Sequence, residues 1–309
     1  METSRSGIAF AHASAMVDIH KVWLITGTSR GFGRCLVNSV LARGDLVIAT
    51  ARSLETIQDY PHSDRLRLLQ LDVDDSQDVI NARLEVAAKY WGRIDVLVNN
   101  AGYGLTGLFE EGGSAAVMNQ YKTNVFGLIN VTTAALPYMR AARSGTIVMM
   151  GSRISWSPYL PVTCYASSKA AVRAFSESLA MEVRQFNIRV TIVEPGGFKT
   201  KGTDNNVEWR GVYEPIPDYD EFRTSTLEKI DPVMKAFRGD ARKAMELVVD
   251  VVRGEGKAKG RPWPLHLFVG KEAFDSVKAK CEAVLSMLQG WEEVARDLDF
   301  DDPSDVRAF

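Results

Sequence analysis

The stretch "CYASSKAAVRAF", residues 164–175, sets Tyr165 four residues before Lys169. On a helix these side chains stand one above the other on a single face. A phenol with a pKa of about 10 exchanges protons poorly near neutrality. A neighbouring ammonium favours the phenolate and lowers that value. The pair is therefore either a tuned proton donor or an ordinary helix surface, and the spacing alone does not choose. The choice depends on the elements that carry the pair and on what else they bring to it.

From Lys21 onward, short apolar runs alternate with helical patterns. The runs cover 22–26, 46–50, 66–71, 94–99, 146–150, 188–193 and 265–269, and most show no polar alternation. Such runs fit strands buried on both faces of a parallel sheet. Helical patterns fill 31–43, 76–91, 114–142 and 164–186, long enough for crossover connections. The expected fold is α/β, a doubly wound parallel sheet of about seven strands with helices on both faces, as a single catalytic domain over 21–309. Pro137 should kink the third helix or start a new turn. Residues 197–240 break the rhythm and read as a lid over a site. Residues 271–309 read as a helical extension, with Leu285, Met287, Leu288 and Trp291 spaced to pack. Residues 1–20 read as a flexible extension: "GIAFAHASAMV" lacks a strong apolar core and is followed by Asp18 and His20, unlike a signal peptide.

Composition excludes several classes. The chain has 309 residues, 46% hydrophobic and 25% charged, with net charge -2. No field of that size draws it to nucleic acid or an anionic membrane. Three scattered cysteines and four histidines show neither a disulfide framework nor metal-ligand spacing. A reducing compartment, the cytoplasm, and no metal are the expectations. No run of about 18 apolar residues suits a membrane span.

"TGTSRGFG", residues 26–33, follows the first strand and opens a helix. Gly27, Gly31 and Gly33 permit a tight turn and close approach of backbone to a pyrophosphate, while the helix start supplies N–H groups and partial positive charge. This strand–turn–helix context belongs to a Rossmann-type dinucleotide site. The end of the second strand, "IATARS" (48–53), has no acid to hold ribose hydroxyls but offers Arg52, and the loop adds Ser29 and Arg30. Two guanidiniums and a hydroxyl suit a 2′-phosphate, so NADP(H) is expected over NAD.

With "TGTSRGFG", "LDV" (71–73), "NNAG" (99–102), "TNVFG" (123–127), "GS" (151–152), "YASSK" (165–169) and "PGGFKT" (195–200) in order, the chain resembles the short-chain dehydrogenases/reductases. The likeness covers residues 21–200 well. The C-terminal rhythm resembles NADP-dependent ketoreductases and hydroxysteroid-dehydrogenase-like enzymes found among microbial and fungal oxidoreductases. The resemblance implies Tyr165 as catalytic acid/base. It implies Lys169 as the residue that lowers the tyrosine pKa and holds the nicotinamide ribose. It makes Ser152 the donor to the substrate oxygen and Asn124 the holder of a relay water. It further implies cofactor contacts from Phe32, from Asp72 and Val73 at the adenine, from Asn99, Ala101 and Gly102, and from Pro195, Gly196, Phe198 and Thr200 over the nicotinamide. Pairing through the two long helices, as homodimer or homotetramer, is implied in the same way.

The residues support that chemistry. Ketone reduction needs a hydride, a proton for the oxygen and stabilisation of the oxyanion. Ser152 lies thirteen residues before Tyr165 at the end of an apolar run, where doubly wound sheets open their ligand crevice. The expected activity is NADPH-dependent reduction of a bulky, fairly apolar carbonyl compound. Two alternatives stand: NADP-dependent oxidation of a secondary alcohol by the same residues, and a non-catalytic NADP-binding regulator. Arg153, Tyr159, Cys164 and Trp209 are candidates for the substrate pocket, together with Trp156, Leu160, Val162 and Tyr213. Each of these also suits plain packing, and Arg153 equally suits solvent.

Overall fold

The computed structural model describes residues 20–159, 161–200 and 214–300. Seven strands form one parallel sheet: β1 (Val22–Ile25), β2 (Leu46–Ala51), β3 (Leu66–Gln70), β4 (Val96–Asn99), β5 (Gly145–Met150), β6 (Ile188–Pro195) and, after the short β7 (Phe198–Lys199) and β8 (Gly239–Asp240), β9 (His266–Val269). Their spatial order is β3-β2-β1-β4-β5-β6-β9. All seven apolar runs of the sequence are strands. Each run is two-sided because alternate residues meet two different helix layers. Val22 and Leu24 face one core with Ile80, Val131 and Val172. Trp23 and Ile25 face the other with Val37, Val40 and Val248. The first layer is made by α2 (Gln77–Trp91), α4 (Leu128–Ala142) and α5 (Thr163–Val183); the second by α1 (Gly31–Ala42) and α7 (Ala241–Arg253).

The strand order reverses between β1 and β4, so their following loops diverge and leave a crevice at the carboxyl edge. The expected helix 114–142 is α3 (Phe109–Tyr121), a π-helical segment Lys122–Gly127, and α4. Pro137 does not break it; the helix is continuous through that residue. Pro137 is exposed, so a carbonyl left without a backbone donor there can be solvated, while buried Ala134, Ala135 and Met139 hold the turn. The breaks lie upstream, at Gly113 (φ 50°) and in the π segment. The last helix, α8 (Lys271–Ala295), follows β9. Leu285, Met287, Leu288 and Trp291 do not pack on the body; all are more than half exposed. The calls on residues 1–19, Leu160, Trp209 and Tyr213 lie outside the described residues.

Candidate active site

Gly27 and Gly31 have φ of +67° and +58°, a backbone that costs little only for glycine. Gly33 is required by proximity: a Cβ there would stand 2.3 Å from the Gly27 carbonyl oxygen and 2.5 Å from Asn100 Nδ2. Asn100 is the loop's tether. Its Nδ2 donates to the carbonyls of Thr26 (2.8 Å) and Gly27 (2.9 Å), and its backbone N–H to Thr26 Oγ1 (2.9 Å). The start of α1 has Arg30 as its flanking residue, no side-chain cap and no acid in the first turn. Its N–H groups and uncompensated dipole suit an anion. The glycine cradle, the uncapped helix and the absence of local negative charge fit the diphosphate of a nicotinamide dinucleotide.

Arg30 and Arg52 are exposed, and neither forms an ion pair with a described residue. Ser29 is half-buried beside them. The loop between them is pinned, since Thr28 Oγ1 donates to Thr50 O (3.1 Å) and Tyr60 Oη to Thr28 O (2.8 Å). Ala101 packs on Gly27, where a Cβ would come 2.8 Å from Ala101 Cα. Asn99 turns inward instead: its Nδ2 donates to Thr132 Oγ1 at 2.8 Å. Its neighbour Asn100 is the asparagine that meets the glycine loop. Asp72 accepts from the Asp74 N–H (3.1 Å), and Val73 is buried against Gly127. On the far side, Phe198 meets Phe32 edge-to-face with centroids 5.3 Å apart. Thr200 approaches Gly31, and Gly196 N–H is bonded to Val269 O at 2.9 Å. The Pro195–Thr200 segment is thereby held beside the glycine loop.

Tyr165 and Lys169 sit on the first turns of α5. Lys169 is 6% exposed, and its ammonium donates to the Met150 carbonyl at 2.6 Å, at the end of β5. It lies 5.9 Å from the Tyr165 ring centroid. Burial holds its pKa down at about 8, since an enclosed cation loses hydration. Burial likewise pushes the Tyr165 phenol above its ordinary value, and the Ser152 hydroxyl and Arg153 oppose that rise. This differs from the expectation of a lowered tyrosine pKa. The ammonium is committed to Met150 and faces the ring, so desolvation wins. Ser152 is buried, and its Oγ accepts from Ile154 N–H at 3.3 Å.

The wide π turn brings Asn124 into the interior, 1% exposed. Its Nδ2 donates to Tyr103 O (2.9 Å) and Ser168 Oγ (3.0 Å), and its Oδ1 accepts from Tyr103 N–H (3.0 Å). This clamps the Gly102–Gly104 strand against α5. A Cβ on Gly104 would touch the Tyr165 ring at 3.4 Å, and one on Gly102 would stand 3.8 Å from Lys169 Nζ.

Arg153 lies over the Tyr159 ring at 5.3 Å, and Tyr159 Oη reaches Met234 Sδ at 4.0 Å on α6 (Asp220–Lys235). Cys164 is buried, and burial pushes its thiol up, leaving it a neutral apolar group. Trp156 is a prop: its Nε1 donates to Glu194 at 2.6 Å and its face carries Arg173 at 4.4 Å. Sequence reading missed Glu194, and of the histidines it noted that they lack metal-ligand spacing. Glu194, fully buried at the end of β6, also accepts from Ser155 Oγ (3.3 Å) and stands 3.1 Å from His266 Nδ1. Burial raises its pKa against the pull of Trp156 and His266. The set braces the turn Arg153–Ser155, which Ser152 begins. A glutamate directly after an apolar run was the available signal.

A family description, short chain dehydrogenase, matches residues 21–211. The chain belongs to the short-chain dehydrogenase family. An oxidoreductase of Botryotinia fuckeliana, BOA17, is 32% identical over 89% of this chain and 98% of its own. A 3-ketodihydrosphingosine reductase of Bacteroides thetaiotaomicron is 36% identical over 71% of this chain and 77% of its own. Among solved structures, a short-chain dehydrogenase of Streptomyces avermitilis superposes with a TM-score of 0.77 at 35% identity, covering 91% of this chain and all of that one. ElxO with NADP bound gives 0.67 at 25%, covering 83% and 100%. The protein is an oxidoreductase of this family, a family that uses a nicotinamide cofactor. Among the described residues no helix is long and apolar enough to cross a membrane, and no group of three metal-ligating side chains converges.

Proposed function

We propose that this enzyme uses NADPH to reduce the carbonyl of a bulky, fairly apolar small molecule to an alcohol. The observation that carries the reading is convergence. Ser152, Tyr165, Lys169 and the Asn124-clamped loop meet beside a glycine cradle flanked by two exposed cations, Arg30 and Arg52, that form no ion pair with a described residue. The loop backbone, Ser29, Arg30 and Arg52 hold the adenosine end and its 2′-phosphate. Lys169 and the 195–200 segment hold the nicotinamide end, where the cofactor supplies a hydride. Ser152 donates to the carbonyl oxygen as charge develops there. Tyr165 delivers the proton, and Asn124 orders the water that replaces it.

Burial raises the Tyr165 phenol's pKa, so the group that would meet a ketone is the protonated one, as a proton donor requires. An intact catalytic set argues against a non-catalytic NADP-binding regulator. ElxO is solved with NADP, and the Bacteroides relative is named for reducing a 3-keto compound; both support the reading. Tyr159 and Arg153, with α6 as lid, form the substrate side. Tyr165→Phe should cut NADPH-dependent ketone turnover at least 1000-fold while NADPH titrates as in the parent. Turnover within tenfold of the parent would overturn the mechanism. Equal efficiency with NADH would overturn the roles of Arg30 and Arg52.

A further inference from the structure

Helix α8 runs for 25 residues, yet only Ala273 and Val277 on it are buried, and every residue from Lys278 onward is exposed. A free helix of about 18 residues is marginal in water, and Gly290 weakens it further. Its sequence explains why it is helical all the same. Phe274, Val277, Cys281, Val284, Leu288 and Trp291 follow one another at spacings of three and four, and Ala295 continues the series. That is the heptad seam of two helices packed knobs-into-holes. On this face Val277 is buried against the chain's own body, while beyond it Val284 is 38%, Leu288 62% and Trp291 64% exposed, as is Phe274 at 60%. Outward apolar area of this kind marks an interaction surface.

We propose that α8 packs antiparallel against α8 of a second copy of this chain, closing a two-fold assembly. Charge selects both occupant and direction. From Lys271 to Cys281 three lysines accompany two acids; from Glu282 to Phe300 five acids accompany one cation, Arg296. Antiparallel pairing sets the basic end of one helix against the acidic end of the other, whereas parallel pairing opposes like with like. The surplus of acids also argues against a lipid surface, since helices lying on membranes carry lysine and arginine on the polar face. The intrahelical pair Lys278–Glu282, at 3.8 Å, is exposed and weak, so both groups are available across the seam. A two-fold interface is self-complementary and closes without forming filaments.

The test uses the full chain, with mass read by light scattering across a dilution series. Val284→Lys with Leu288→Lys should halve the assembled mass, and ending the chain after Ala279 should do the same. Lys278→Glu with Lys280→Glu should raise the dissociation constant at least tenfold. Adding Glu292→Lys and Glu293→Lys should restore it. Unchanged mass in the lysine and truncated variants overturns the proposal, as does failure of the four-fold charge exchange to restore association. If removal of residues 2–19 rather than the α8 changes alters the mass, the chain's own N-terminus covers the face. If the parent floats with phosphatidylcholine vesicles and the Val284/Leu288 variant does not, the occupant is a membrane. Either result overturns pairing between copies.

Discussion

Lys169 is costly to bury, and the cost depends on pH in a way one substitution isolates. Its folded pKa is about 8, against about 10.4 for a free lysine. Below pH 8 the amine is charged in both states, and folding then carries the full desolvation penalty. One pKa unit is worth about 1.4 kcal/mol, so that penalty is about 3 kcal/mol. Between the two values the unfolded chain binds the proton and the folded chain does not, so stability rises with pH. From pH 7 to pH 9.5 the recovered stability is about 2 kcal/mol. Lys169→Met keeps the length and removes the charge. Urea unfolding of parent and variant should therefore give stability profiles that converge or cross by about 2 kcal/mol over this range, in the parent's favour. Tyr60, whose burial raises its pKa to about 12, titrates in both proteins and cancels. Parallel profiles would show that the Lys169 ammonium is not desolvated, and the account of the site's electrostatics would fail with them.

Two further predictions concern the scaffold. Asn100→Asp exchanges a double donor for a carboxylate facing the Thr26 and Gly27 carbonyls; at about 1 kcal/mol for each lost bond plus repulsion, the NADPH dissociation constant should rise at least tenfold by fluorescence titration. Glu194→Ala leaves the Trp156 N–H without its acceptor and His266 without its partner, while the Ser155 hydroxyl keeps the Ser152 carbonyl at 2.9 Å. It should cost about 1–3 kcal/mol in urea unfolding and lower kcat more than it raises KM, because the turn begun by Ser152 loosens. Glu194→Gln should recover most of both; a loss of stability with kcat unchanged would make Glu194 a purely structural residue.

The inner strands were legible because they are buried on both faces, which leaves an unbroken apolar run; the edge strands β3 and β9 are only partly buried and were legible from apolar runs that meet a helix layer on each side. The glycine loop was legible because positive φ and a 2.3 Å approach leave glycine no substitute. What the sequence hid was direction. Asn99 and Asn100 are adjacent and chemically identical, yet one turns to Thr132 and the other to the glycine loop. Trp156 suited a pocket wall and plain packing alike, and it is a brace, a choice the sequence could not make because its partner Glu194 lies 38 residues away. Leu285 and Leu288 carried a packing pattern, and pattern does not say whether the surface it meets is on the same chain.

The π-helical turn at Lys122–Gly127 makes chain length itself part of the site. A π turn holds one more residue than an α turn. Removing any one of Lys122, Thr123, Val125, Phe126 or Gly127 would yield a more regular helix and rotate what precedes it by about 100°. Asn124 would leave Tyr103 and Ser168, and the loop at Gly102–Gly104 would lose its clamp, although every side chain of the site remained in the sequence. Here regular secondary structure and a working site are mutually exclusive, and a design that idealised this helix would gain backbone order by dismantling the crevice.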